Sequence, residues 1–224
     1  MKLMIRRYIK KRRQKGSFLL EMAIVSWVLI YMLVGTFQMG LMLVRAIQAG
    51  EVCRNANVLE VRRVDLSQSS NQQLLLRSAP SLGINASGSW SASSSGTGLI
   101  VLSEVYNVGD LMCSSGVSNF DSTNPTATCP NYGSYVIGMR INIGNTSYGP
   151  SVFGSPSSTP GSDGFLTDNQ ICTVTGNQIS SGSSSLVTLT TDQYTWVAEV
   201  WADSKNFNIF PWFKAPTIYM RNFS

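Results

Sequence analysis

The chain has 224 residues, 43% of them hydrophobic, and a formal net charge of +5. That length fits one ordinary domain, or one domain carried on a membrane helix, and is too short to suggest several domains. The positive excess sits in the first fifteen residues, where eight Lys and Arg side chains meet no acid, while Arg45 to Ser224 carries nine basic against eleven acidic side chains. The body of the protein therefore lacks the basic face needed to follow a phosphate backbone, and no nucleic-acid partner is expected.

Residues 1–16 form a basic leader. Ser17 to Val44 follows as twenty-eight residues whose only ionisable side chain is Glu21. As a helix rising about 1.5 Å per residue, this run is roughly 42 Å long, more than the ~30 Å hydrocarbon core of a bilayer requires. The cations on one side place the leader in the cytoplasm and everything after residue 44 across the membrane. Residues 45–80 continue as a helical extension. Val44, Ile47, Val58, Val61 and Val64 fall loosely on one stripe of it, and Asp65 or Ser67 is positioned to cap a short second helix that Pro80 stops.

Residues 81–224 read as an exported, β-rich domain with Ser/Gly-rich loops. Leu99–Val108 is rich in β-branched residues and mostly apolar, the signature of a central strand. In the next run Tyr135, Ile137, Met139, Ile141 and Ile143 alternate with Gly138, Arg140 and Asn142, and Tyr194, Trp196, Ala198 and Val200 repeat that period later. TIYMRNF near the C-terminus supplies a fourth strand. The expected class is α+β: a long transmembrane helix whose extension packs on a small antiparallel sheet of about four strands. Asn145–Ser185 reads as a surface loop, and NFNIFPWFKAP as an aromatic loop folded onto the sheet, resting on the membrane, or meeting a partner.

Cys53, Cys113, Cys129 and Cys172 all lie beyond the apolar run, so two disulfides are expected in an oxidising compartment; four reduced, buried thiols are the alternative. Cys113 and Cys129 bracket a turn-rich connection, and closing a loop of this size contributes ~3 kcal/mol in the chain-entropy account. Cys53 and Cys172 are then paired by elimination. Histidine is lacking, so no Cys–His zinc site exists, and nucleophile-elbow, phosphate-loop and dinucleotide motifs are missing. We expect no catalytic residues, metal or cofactor. Asp163 and Asp168 offer oxygen ligands, but their spacing does not match a calcium loop.

Glu21 is costly inside a bilayer, roughly 2.5–3.5 kcal/mol near the centre and less toward the end. One account is a side chain that snorkels to the headgroups. The other begins with Gly16 and Ser17: a cut between them puts the new α-amino group one helical turn from Glu21, which then gains a cation, on its own helix or a neighbour's. KGSFLLEMAIV resembles the leader of type IV pilins and pseudopilins, with Gly16 ending the leader, Ser17 the first mature residue and Glu21 the fifth. The run through VRAIQAGEVCRNA, the later VAEVWADSKNFNIFPWF and the terminal TIYMRNF are similar to TadE-like pseudopilins of the tight-adherence pilus. Met22, the long Ser/Gly insertions and the four cysteines are departures from that pattern. The resemblance implies processing at Gly16–Ser17 by a prepilin peptidase and a single-pass anchor in the bacterial inner membrane, with the C-terminal domain periplasmic or extracellular. It also implies assembly with other pilins or pseudopilins through Glu21, in a pilus serving adhesion or secretion. Two other readings stay open: an uncleaved signal anchor carrying a binding module such as an adhesin or sugar binder, and a secreted protein cut near Ala49. The second fits poorly, since the apolar run is long and Ile47 is large for its position.

Overall fold

A computed structural model describes residues 2–86, 88, 90, 95–203 and 216–224, with side chains from Phe18 onward. From Lys2 the leader, the apolar run and the first seventeen residues of the expected extension form one uninterrupted helix, α1 (Lys2–Val61); the expected extension to residue 80 is broken by the turn after Val61. Its 60 residues extend roughly 90 Å. From Phe18 it is long and apolar enough to cross a membrane, and large side chains along its first half, including Leu19, Trp27, Leu29 and Leu33, are exposed.

Burial on α1 starts at Gln38 and runs through Arg45, Ala49, Val52, Cys53, Ala56 and Glu60, the three-to-four spacing of one helix face. This stripe differs from the expected one: Val44, Ile47, Val58 and Val61 are exposed, and of the five only Val64 touches the core. The reason is steric. The helix lies close against two strands, β3 (Tyr194–Ala202) and β4 (Ile218–Phe223), and small side chains permit that approach. The Cys53 thiol donates to the Ala198 carbonyl at 2.9 Å, and a Cβ at Gly50 would stand 3.4 Å from Met220 Cε. Arg63 ends the helix in a left-handed conformation, φ 56°, with its N–H bonded to Glu60 O at 2.7 Å and that of Val64 to Leu59 O at 3.0 Å, satisfying carbonyls that a helix end leaves open.

The second helix, α2 (Ser69–Leu76), starts after Gln68 without a side-chain cap. Asp65 instead accepts from the backbone and hydroxyl of Ser67 and from Gln68 Nε2, fixing the turn that leads into α2 rather than capping it.

The sheet joins β1 (Gly98–Asn107), β2 (Tyr135–Gly144), β3 and β4 in the order β2-β1-β3-β4, all antiparallel. As its composition requires, β1 is central and buried from Gly98 to Val105. Trp196, Ala198 and Val200 keep the expected alternation and join Ile100, Leu102 and the α1 stripe in the main core. β2 departs from simple alternation. Glu104 pairs with Met139 and Val105 with Ile137, leaving Gly138 as an extra residue, a bulge that reverses the faces beyond it. Met139, Ile141 and Ile143 therefore face α1, whereas Ile137 joins Val105, Phe153 and Val197 on the opposite side. Glycine is needed there: a Cβ at position 138 would lie 2.3 Å from Tyr106 Cε2.

The stretch expected to be a surface loop, 145–185, covers that opposite side around Phe153 and Ile179 and passes round the β2 edge, where Phe165 bridges Met139. Phe153 is fully buried. Buried Glu199 accepts from Ser151, from Val152 N at 3.0 Å and from Tyr219 Oη at 2.8 Å, and Arg140 Nη2 donates to Gly154 O at 2.5 Å. Polar strand residues thus hold a Ser/Gly-rich segment down by hydrogen bonds, where a surface loop was expected. The aromatic stretch NFNIFPWFKAP lies outside the described residues, apart from the final Pro216.

Candidate functional site

Gly16, Ser17 and Glu21 share α1. Glu21 is exposed, and on its face of the helix Phe18, Ile24 and Val25 are exposed too. The buried stripe begins ~25 Å further along, at 1.5 Å per residue, so among the described residues no sheet element covers this segment. Glu21 thus stands as a carboxylate among exposed apolar side chains, a setting that is costly in a bilayer unless the side chain reaches the headgroups or gains a nearby cation.

The cysteines divide differently from the expected pairs. Cys113, on α3 (Asp110–Gly116), and Cys129, just after α4 (Pro125–Thr128), form a disulfide with Cα atoms 5.9 Å apart, as their bracketing of a turn-rich loop indicates. Cys53 and Cys172 are free and buried. Cys53 lies under β3 in the main core, whereas Cys172, on α5 (Asp168–Thr173), belongs to a separate cluster beside the disulfide. Pairing by elimination fails because each thiol has its own buried niche, Cys53 donating to Ala198 O and Cys172 to Met112 O at 3.3 Å. Burial pushes the Cys53 thiol up to about 12 and Cys172 up to about 11, which keeps both protonated and unreactive. The sulfurs of Cys113, Cys129 and Cys172 lie within 4.8 Å of one another, but with two of them bonded only one thiol remains to ligate a metal.

Two carboxylates that sequence reasoning did not single out are buried at the far end of α1. Glu60 and Glu104, on α1 and β1, are 4% and 3% exposed, and Glu60 Oε1 and Glu104 Oε2 have no hydrogen-bond partner among the described residues. They line a cavity of about 320 Å³ together with Tyr106, Asp163, Phe165 and Trp196. Glu104 also accepts from the Tyr106 hydroxyl. Burial, reinforced by the charges of Glu104 and Asp65, pushes Glu60 up to about 8, and burial pushes Glu104 up to about 7. No spacing in the chain announces this pair, since only the sheet register brings residues 60 and 104 together. Asp163 and Asp168 separate: the first lines the cavity, while the second accepts from Ser115 Oγ at 3.1 Å.

Thiol titration in denaturant without reductant should find two thiols per chain and, after reduction, four; none before reduction would mean that Cys53 and Cys172 are bonded after all. A second outcome concerns pH. Glu60 holds its proton in the folded protein between the ordinary value of 4.5 and about 8, where an unfolded glutamate has lost it, so its contribution is full below 4.5 and declines as pH rises through 8. Denaturation midpoints measured from pH 5 to 9 should therefore fall more for the native protein than for Glu60→Gln; parallel curves would show that Glu60 ionises as in the unfolded chain.

No protein-family profile matches this chain, and neither the curated proteins nor the solved structures supply a match.

Proposed function

We propose that this chain is a TadE-like pseudopilin or minor pilin that helps assemble or prime a tight-adherence pilus used in adhesion or secretion. The observation that carries the reading is the position of Glu21: it stands exposed among apolar side chains, on a helix whose distal half docks on a four-stranded antiparallel sheet. In this reading a prepilin peptidase cuts between Gly16 and Ser17, and the α-amino group created there compensates Glu21, on the same helix or a neighbouring one. The apolar half holds the chain in the bacterial inner membrane, leader inward and sheet domain outward, until it is packed beside other pilins or pseudopilins. The exposed apolar side chains supply the surface for that exchange of lipid for protein neighbours.

The packing of α1 also bears on the secreted alternative. A cut near Ala49 removes Arg45, whose Nη1 donates to Asp203 O at 2.6 Å, and Ala49, which is fully buried. Such a cut would strip the domain of part of its own core. The uncleaved-anchor alternative keeps both.

Intact-mass measurement of the membrane-extracted protein is the test. The expected N-terminus is Ser17, and replacing Gly16 by Leu should shift it to Met1 with the protein still in the membrane. A native N-terminus at Met1 supports the uncleaved anchor instead, one at Gly50 the secreted form, and an unchanged mature size in Gly16→Leu sinks the peptidase reading.

A further inference from the structure

We propose that the cavity beyond the end of α1 is a binding site for an organic cation, a protonated amine carried on an apolar or aromatic body. The cavity lies about 24 Å past Val44 along the helix, counting sixteen residues to Glu60 at 1.5 Å each, on the side of the domain remote from the apolar segment. Its ligand therefore arrives from water rather than from lipid. This site stands apart from the pilin reading and holds whether or not the chain is processed at Gly16.

Three observations define the ligand. First, Glu60 and Glu104 are more than nine-tenths buried, line the cavity, and each keeps one oxygen without a hydrogen-bond donor among the described residues. Buried polar atoms ordinarily find partners, and unpaired carboxylate oxygens beside a cavity call for a donor with positive charge. Second, the walls are aromatic. Tyr106, Phe165 and Trp196 line the cavity, Phe165 and Trp196 meeting edge to face with centroids 6.4 Å apart; the faces of such rings attract ammonium groups. Third, Leu66 and Ile141 complete an apolar lining that suits the body of an amine. A hard divalent cation is disfavoured, because it seeks six or more oxygen ligands and this lining is largely hydrocarbon. The volume, about 320 Å³, is at the small end of ligand pockets.

The charged surroundings agree. Glu60 from α1, Arg63 and Asp65 from the turn after it, Glu104 and Tyr106 from β1, and Asp163 from the covering segment face the cavity, while Trp196 of β3 and Ile141 of β2 contribute no charge. Once Glu60 and Glu104 ionise, four acids against one base make the mouth attractive to cations. Binding a cation favours the ionised carboxylates, so affinity should rise as pH increases from 6 to 8.5.

The test uses the full chain in detergent, with 2-phenylethylammonium as probe and 2-phenylethanol as its neutral counterpart, titrated calorimetrically. The expected result is saturable binding of the amine with one site per chain and at least tenfold preference over the alcohol. That affinity should fall at least tenfold in Glu60→Gln and Glu104→Gln, and rise about tenfold from pH 6 to 8.5. Equal binding of amine and alcohol, no amine binding, tighter binding of calcium than of the amine, or unchanged affinity in folded glutamine variants would each overturn the assignment. The amine-to-alcohol comparison on the native chain decides the matter even if a variant fails to fold.

Discussion

The close approach of α1 to the sheet is the constraint on which the rest of the molecule depends. A helix that continues from an apolar, exposed segment into a folded domain has no linker in which to absorb misfit, so its buried face must match the strands over its whole docked length. Ala49, Val52, Cys53 and Ala56 provide that face. Each removes little apolar surface by itself, and most of the hydrophobic stabilisation comes from the sheet side, where Ile100, Leu102, Ile141 and Ile143 are fully or almost fully buried, at about 1.5–3 kcal/mol for each large aliphatic side chain. The helix lends a smooth lid and the strands lend the bulk. Arg45 secures the docked region by its hydrogen bond to Asp203 O, just past the end of β3, so the long helix and the sheet form one continuous unit.

The opposite face of the sheet is held by different chemistry. Arg140 and Glu199 are buried beneath the segment that begins at Asn145, and their side chains hold its backbone at Gly154 and Val152. Phe153 fills the space between them with the second apolar cluster. A chain of low hydrophobicity can cover a sheet when the strands present hydrogen-bonding groups that match its backbone. The disulfide works elsewhere, tying α3 to the end of α4 and restricting the unfolded chain over the β1–β2 connection, an effect of about 3 kcal/mol. The bulge at Gly138 lets β2 serve both sides: its inner half faces α1, and Ile137 turns toward the covering segment.

Strands and the long helix were legible in the sequence because their signals are local. Tyr194, Trp196, Ala198 and Val200 recur at every second position to mark β3, and the apolar run from Leu99 to Leu102 with Val105 marks a central β1. The buried stripe of α1 was not legible in the same way, since Ala, Cys and Gly carry weak periodic signal and the larger valines drew attention to an exposed face. One inserted residue at Gly138 reversed half of a strand whose composition looks uniform. Cys113 and Cys129 could be paired from the short, turn-rich loop between them, whereas even-number counting misled for Cys53 and Cys172, which are separated by the depth of the fold. Glu60 and Glu104 meet only because β1 lies beside the end of α1, a long-range fact that no motif encodes. The segment from Gly16 to Glu21 is the opposite case: its chemistry is readable in the sequence, and the structure adds where Glu21 stands, exposed on the apolar half of a helix that the sheet does not cover there.

Comparing the stability of two single variants of the full chain tests the docking of α1 most directly. Ala56→Leu overfills a fully buried position and should lower the free energy of unfolding by about 1–3 kcal/mol, followed by denaturant titration with tryptophan fluorescence. Val61→Ala trims a side chain that is 55% exposed and should change it by no more than about 0.5 kcal/mol. The reverse order, with Val61→Ala the more damaging and Ala56→Leu neutral, would mean that the valine face rather than the small-residue face meets the sheet, and would contradict the packing on which this structure rests.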